Sequence, residues 1–125
     1  MNPLCREQGV GLIPYSPLGG GLLVGTRKEG TVRSGGVMNR DRFRRPEDEA
    51  VIAALAALAD QRGERPAPLA LAWLLTKPEM TAPIVGLTKP HHLDDALRAL
   101  EVKLVPEEIK ELEAPYLTQP VIGHV

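Results

Sequence analysis

The run Pro83-Ile84-Val85-Gly86-Leu87-Thr88-Lys89-Pro90, followed directly by His91-His92-Leu93-Asp94-Asp95-Ala96-Leu97, sets a short apolar stretch against the start of a helix. The apolar residues before Gly86 suit a brief buried strand, and glycine permits a tight exit from it. Pro90 suits the first turn of a helix whose apolar stripe is Leu93, Ala96, Leu97 and Leu100. First-turn amides of such a helix have no partner inside it, and Thr88 and Lys89 stand beside them with a hydroxyl and a charge. This combination can receive a phosphate. A Thr-Lys-Pro turn is more often a plain helix cap than an anion site.

Working toward the N-terminus, Pro68 to Lys77 reads as a helix with little polar face, in which Trp73 belongs to the core. Before it, Pro46-Glu47-Asp48-Glu49 opens a helix with acids at its favourable end. Val51, Ile52, Leu55, Leu58 and Ala59 line one side, and Arg62-Gly63 closes it. Residues 26 to 46 have no apolar period and read as a long exposed loop, either a solvated segment or one that contacts an anion. Leu18-Gly19-Gly20-Gly21-Leu22-Leu23-Val24-Gly25 is too rich in glycine for a stable helix or strand interior. It reads as a flexible turn or as backbone brought close to a ligand. Residues 3 to 8 suit a helical turn closed by Gly9, followed by a short buried strand at Val10, Leu12 and Ile13 that ends at Pro14-Tyr15-Ser16-Pro17.

On the C-terminal side, Pro106-Glu107-Glu108-Ile109-Lys110-Glu111-Leu112 begins a last short helix, and Pro115 to Val125 reads as an irregular arm. Strands alternating with helices imply parallel pairing and an α/β architecture. A complete barrel of this kind takes about 250 residues and eight strands. With 125 residues and two strands, the chain reads as part of one.

Composition narrows the function. The 43% hydrophobic and 25% charged residues are ordinary for a globular protein. The net charge of -1 conceals a basic segment: residues 26 to 46 carry seven Arg and Lys against Glu29 and Asp41, about +5, which leaves about -6 elsewhere. Aromatics make up 3% of the chain and only Phe43 lies among those arginines, so stacking on bases has little to work with and nucleic-acid binding is disfavoured. The lone Cys5 excludes an internal disulfide framework and a cysteine-rich zinc site. It favours a reducing compartment, and no run suits a secretory leader or a membrane span, so a cytoplasmic location is expected.

Four ordered motifs, GVGLIPYSPLGGGLL at 9 to 23, LALAWLL at 69 to 75, APIVGLTKPHHLDDALRAL at 82 to 100 and EAPY at 113 to 116, resemble the C-terminal part of the aldo-keto reductases. The similarity is greatest to the branch that includes the potassium-channel beta subunits. It implies a partial TIM (β/α)8 barrel in which the two strands are the seventh and eighth. It also implies NADP as cofactor. Tyr15 stands where the family stacks an aromatic ring on the nicotinamide, and Ser16, Pro17, Leu18 and Gly20 where it lines the pyrophosphate. Gly86, Thr88 and Lys89 match the segment that receives the adenosine phosphate, with Lys89 favouring a 2'-phosphate. His92 and Asp95 match positions at the adenine end.

Two departures stand out. Ala96 replaces an asparagine that contacts adenine in relatives, and Thr26 replaces a lysine, for which Arg27 or Lys28 could substitute. The family's catalytic tyrosine, with its lysine, aspartate and histidine, belongs to earlier strands, and neither Tyr15 nor Tyr116 lies in a matching segment. Hydride addition to a carbonyl needs a proton donor near the developing oxyanion. The resemblance therefore implies the cofactor-binding C-terminal part of a reductase of aldehydes or ketones, inactive alone, with a small carbonyl substrate only when the N-terminal part is supplied. A non-catalytic nucleotide-binding or oligomerising half-barrel is the alternative, and open strand edges would favour self-association.

Overall fold

A computed structural model describes residues 2–25 and 46–118. The expected basic loop, with Thr26, Arg27 and Lys28, and the end of the C-terminal arm lie outside the described residues. Five helices are seen among the described residues: α1 (Asn2–Glu7), α2 (Asp48–Arg62), α3 (Pro66–Leu75), α4 (Pro90–Glu101) and α5 (Pro106–Glu113).

Each helix end has a local cause. Asp48 and Glu49 occupy the first turn of α2, where negative charge meets the positive end of the helix dipole. Gly63 closes that helix in the left-handed region at φ 59, and its N–H donates to the Ala59 and Asp60 carbonyls. Helices α3, α4 and α5 all start on proline, which needs no amide partner at the first position. Because Pro66 can serve as that residue, α3 starts two residues before the expected Pro68. At α5, Glu108 reaches back to accept a 2.8 Å bond from the Val105 N–H.

The core lies between helices. Leu55, Leu58 and Ala59 of α2 pack with Leu69, Ala70 and Ala72 of α3, Leu112 of α5, and Val102. Leu69 is fully buried. Trp73, expected in the core, is half-buried at its edge. Its indole N–H donates to Glu113 Oε1 at 2.9 Å, and Lys77 Nζ lies 4.4 Å from the ring centre. Arg62 joins α2 to the following elements through the Lys103 carbonyl and Glu108, each at 3.2 Å.

The two expected strands are present as parallel pairing of minimal length. Leu12 pairs with Met80 and Tyr15 with Ile84. The Leu12 N–H donates to the Glu79 carbonyl at 2.8 Å, the Leu12 carbonyl accepts from Thr81 at 2.9 Å, and the Ile84 N–H donates to the Pro14 carbonyl at 2.8 Å. Gly11 lets the segments meet: a Cβ there would lie 1.9 Å from Thr81 Oγ1. These segments were expected to be buried, yet Val10, Ile13 and Ile84 are exposed. A parallel pair is covered on both faces only where further layers exist, and no described element lies over these side chains.

Helix α4 departs from expectation in the same way. It forms where the sequence places it, but Leu93, Leu97 and Leu100 face outward. Leu97 is 55% exposed while Ala99 is 3%. Asp95 and Ala99 are the residues α4 buries, and α3 is the helix it packs against.

Candidate functional site

A cleft of about 800 Å³ opens at the C-terminal ends of the paired segments, a size suited to a small-molecule ligand. One wall is the turn after the first segment, with Tyr15, Ser16, Pro17, Leu18 and Gly20. The other is the turn into α4, with Gly86, Thr88, Lys89, His92 and Asp95. All ten residues singled out from sequence therefore line one cleft. Parallel pairing is the reason: Tyr15 beside Ile84 brings both exits to the same end.

The first wall has unusual backbone. Gly19 to Gly21 form a single 3-10 turn with Gly20 at φ 66 and ψ 30. Ser16 is the one non-glycine residue with positive φ among the described residues, at 53. Such a conformation is strained for a side-chain-bearing residue and is found more often at functional sites than elsewhere. The Ser16 carbonyl accepts from the Gly19 N–H at 2.9 Å, which holds the turn. Tyr15 presents its ring at the rim, 68% exposed.

The second wall separates the two readings of the Thr88-Lys89-Pro90 turn. Lys89 is the capping residue of α4, and no side chain caps the helix amides. The Thr88 N–H instead donates to His92 Nδ1 at 3.2 Å, and its hydroxyl lies 3.4 Å from the same nitrogen. The turn is therefore not a threonine cap. The His91 and His92 rings meet edge to face with centroids 4.5 Å apart. A Cβ on Gly86 would find nothing within 4 Å, so the exit from the second segment is open.

Helix α3 adds what the sequence reading missed. Arg65, Pro66 and Ala67 also line the cleft, so the N-termini of α3 and α4 both border it. Neither has a side-chain cap. Two positive dipole ends beside one cleft favour a negatively charged occupant. Arg65 stands 2.5 Å from Asp95 Oδ1 as an ion pair between the two helices. A cation at a helix start is unfavourable without compensation, and this was the available signal at Arg65. Beside it, Arg98 bonds Glu64 at 2.8 Å and Glu101 at 2.9 Å. The Arg98 guanidinium holds the Glu64 carboxyl below the usual carboxylate range.

The two positive helix ends suit an anion. Among the described residues, Tyr15 and Tyr116 have no hydrogen bond to a lysine, histidine or carboxylate, and Tyr116 does not line the cleft. Among the described residues no group of three or more His, Cys, Asp or Glu could hold a metal ion. No described helix is long and apolar enough to cross a membrane.

Comparison with known proteins agrees with the motifs. Versiconal hemiacetal acetate reductase of Aspergillus parasiticus is 39% identical over 97% of this chain and 36% of its own length. A thermostable aldo-keto reductase solved with the inhibitor epalrestat matches 92% of this chain and 33% of its own, at 29% identity and a TM-score of 0.59. The glycerol dehydrogenase of Gluconobacter oxydans shares the fold over the whole chain, with a TM-score of 0.68 at 21% identity, and the match covers 40% of that enzyme. These solved reductases are TIM barrels. The chain spans little more than a third of the length of the curated relatives it matches. The family model for the aldo/keto reductases matches residues 1–116, and the chain belongs to that family of oxidoreductases.

Proposed function

We propose that this chain is the cofactor-binding C-terminal part of an NADP-dependent aldo-keto reductase, contributing the seventh and eighth strand segments of the barrel. The observation that carries the proposal is the pair of uncapped helix N-termini beside one cleft, together with Lys89, which forms no ion pair among the described residues. Members of the family typically use a nicotinamide dinucleotide. Bound NADPH supplies a hydride to a carbonyl.

The residues present fit such a group. The exposed ring of Tyr15 offers a rigid face for the nicotinamide. Ser16, Pro17, Leu18 and Gly20 would line the pyrophosphate with backbone, and Gly20 adds no side chain to obstruct it. Gly86 leaves space, while Thr88 and Lys89 offer a hydroxyl and a cation to the adenosine phosphate. His92 and Asp95, farther along α4, would meet the adenine end. Asp95 is engaged by Arg65 and His92 by the Thr88 N–H through Nδ1, which leaves the His92 Nε2 edge for the base.

Titration of the purified chain with NADPH, followed by calorimetry, tests this reading. Saturable binding, competed by NADP, is expected, with no NADPH-dependent reduction of a simple aldehyde, because no described tyrosine has the partners of a proton donor. Absence of binding, or reduction at enzymatic rates, defeats the proposal.

The exposed apolar side chains of Val10, Ile13, Ile84, Leu93, Leu97 and Leu100 favour a second reading, a non-catalytic half-barrel that associates with itself or with a chain supplying further strands. Sedimentation of the chain alone distinguishes it: a defined dimer supports this module, and a monomer argues against self-association.

A further inference from the structure

Among the described residues, Arg65 and Lys89 are the two permanent cations lining the cleft, and they stand on different helices. Arg65 occupies the capping position of α3, where Ser, Thr, Asp or Asn would satisfy the helix amides and where a positive charge is disfavoured. Asp95 of α4 compensates the charge. Its side chain is 9% exposed and meets one terminal nitrogen of the guanidinium, whose side chain is 52% exposed. A guanidinium carries five N–H donors, so the pair leaves donors open to the cleft. The pairing also offsets the charge of a buried carboxylate, nearly two turns along α4 from Lys89, that would otherwise repel an anion.

We propose that Arg65, oriented by Asp95, is a second cation for the 2'-phosphate of the bound adenosine, meeting it from α3 while Lys89 meets it from α4. This rests on the cofactor reading above and adds to it a determinant of NADP over NAD. A planar, always-charged fork fixed by a carboxylate suits a phosphate better than a free lysine does. The bland alternative is that the pair only staples α3 to α4.

The two roles are separated by 2',5'-ADP and 5'-AMP, which share adenosine and the 5'-phosphate and differ only in the 2'-phosphate. Calorimetric titrations would compare the native chain with Arg65→Met and Arg65→Lys, each checked by circular dichroism for retained helix. The Arg65→Met change is expected to weaken 2',5'-ADP by about tenfold or more while 5'-AMP changes less than about twofold, with Arg65→Lys intermediate. The loss is held to this size because the Arg65 side chain is half exposed and solvent and salt screen its charge. Equal weakening of both nucleotides, as a staple or a base-stacking role would give, overturns the inference, as does no change in either. Failure of the native chain to bind either nucleotide is a separate signature, which removes the cofactor reading and this inference with it.

Discussion

Replacing Gly11 with alanine tests how the cleft is assembled. The added Cβ would sit 1.9 Å from Thr81 Oγ1 and 3.2 Å from Thr81 Cβ, against ordinary contacts of at least about 3.4 Å. Rotating Thr81 removes the hydroxyl clash but leaves the Cβ contact tight, so the two parallel segments must shift by a few tenths of an ångström or Thr81 must take a poor rotamer. Either response costs about 1–3 kcal/mol. Gly11 does not adopt positive φ, so the backbone itself accepts alanine. The loss of glycine freedom in the unfolded chain would then favour folding by about 0.4–1 kcal/mol. The expected net effect is a destabilisation of about 1–2 kcal/mol. In a Thr81→Ala background the Oγ1 and Cγ2 atoms are absent, while the Thr81 backbone bond to Leu12 persists. Gly11→Ala should then cost only what the remaining 3.2 Å contact with the residue 81 Cβ imposes, less than in the native background. Urea unfolding of the four proteins of this double-mutant cycle measures the coupling, expected at about 1 kcal/mol or more. Equal costs in the two backgrounds would falsify the steric account and, with it, the view that close approach at Gly11 brings the two cleft walls together.

Other consequences follow from the core, the cleft and the surface carboxylates. Leu69→Ala removes a fully buried side chain and should cost about 2–5 kcal/mol, enough to abolish cooperative melting in a domain with so small a core. Lys89→Met should weaken NADPH about three- to tenfold, leave NADH little changed, and flatten the salt dependence of NADPH binding; equal effects on both dinucleotides would place Lys89 away from the 2'-phosphate. The carboxyls of Glu64, Glu79 and Glu113 are each held below the ordinary carboxylate range. The chief causes are Arg98 for Glu64, the residue's own backbone for Glu79 ahead of Arg6, and Lys77 for Glu113 ahead of Trp73. Carboxyls depressed in the folded state contribute fully above their unfolded pKa and lose that contribution as pH falls through the folded values. Stability should therefore be insensitive to these groups from pH 6 to 8 and decline below about pH 4.5; a melting temperature that rises on acidification through that range would contradict the assignment.

Local chemistry wrote much of this protein plainly. Acids before an apolar period and a glycine after it mark both ends of α2, and prolines announce the starts of α3, α4 and α5, because these signals act within a turn or two. The cleft positions were singled out chiefly through the family resemblance, and the structure shows only why they lie together. Each wall is a short contiguous turn, and the parallel order of the two segments obliges their exits to share one end.

Burial on α4 and the role of Arg65 were not legible, because both depend on which surfaces meet. Periodicity shows that Leu93, Leu97 and Leu100 share a stripe, but the helix turns toward α3 through Asp95 and Ala99, and no described element covers the leucines. A hydrophobic pattern identifies a face suited to burial without supplying the neighbour that buries it. Arg65 and Asp95 are thirty residues apart, and their charges read separately as surface residues until helix packing brings them to 2.5 Å. Charge becomes a feature of the site only through that approach, since Coulomb attraction between such groups is weak in water and strengthens as packing removes solvent from around them.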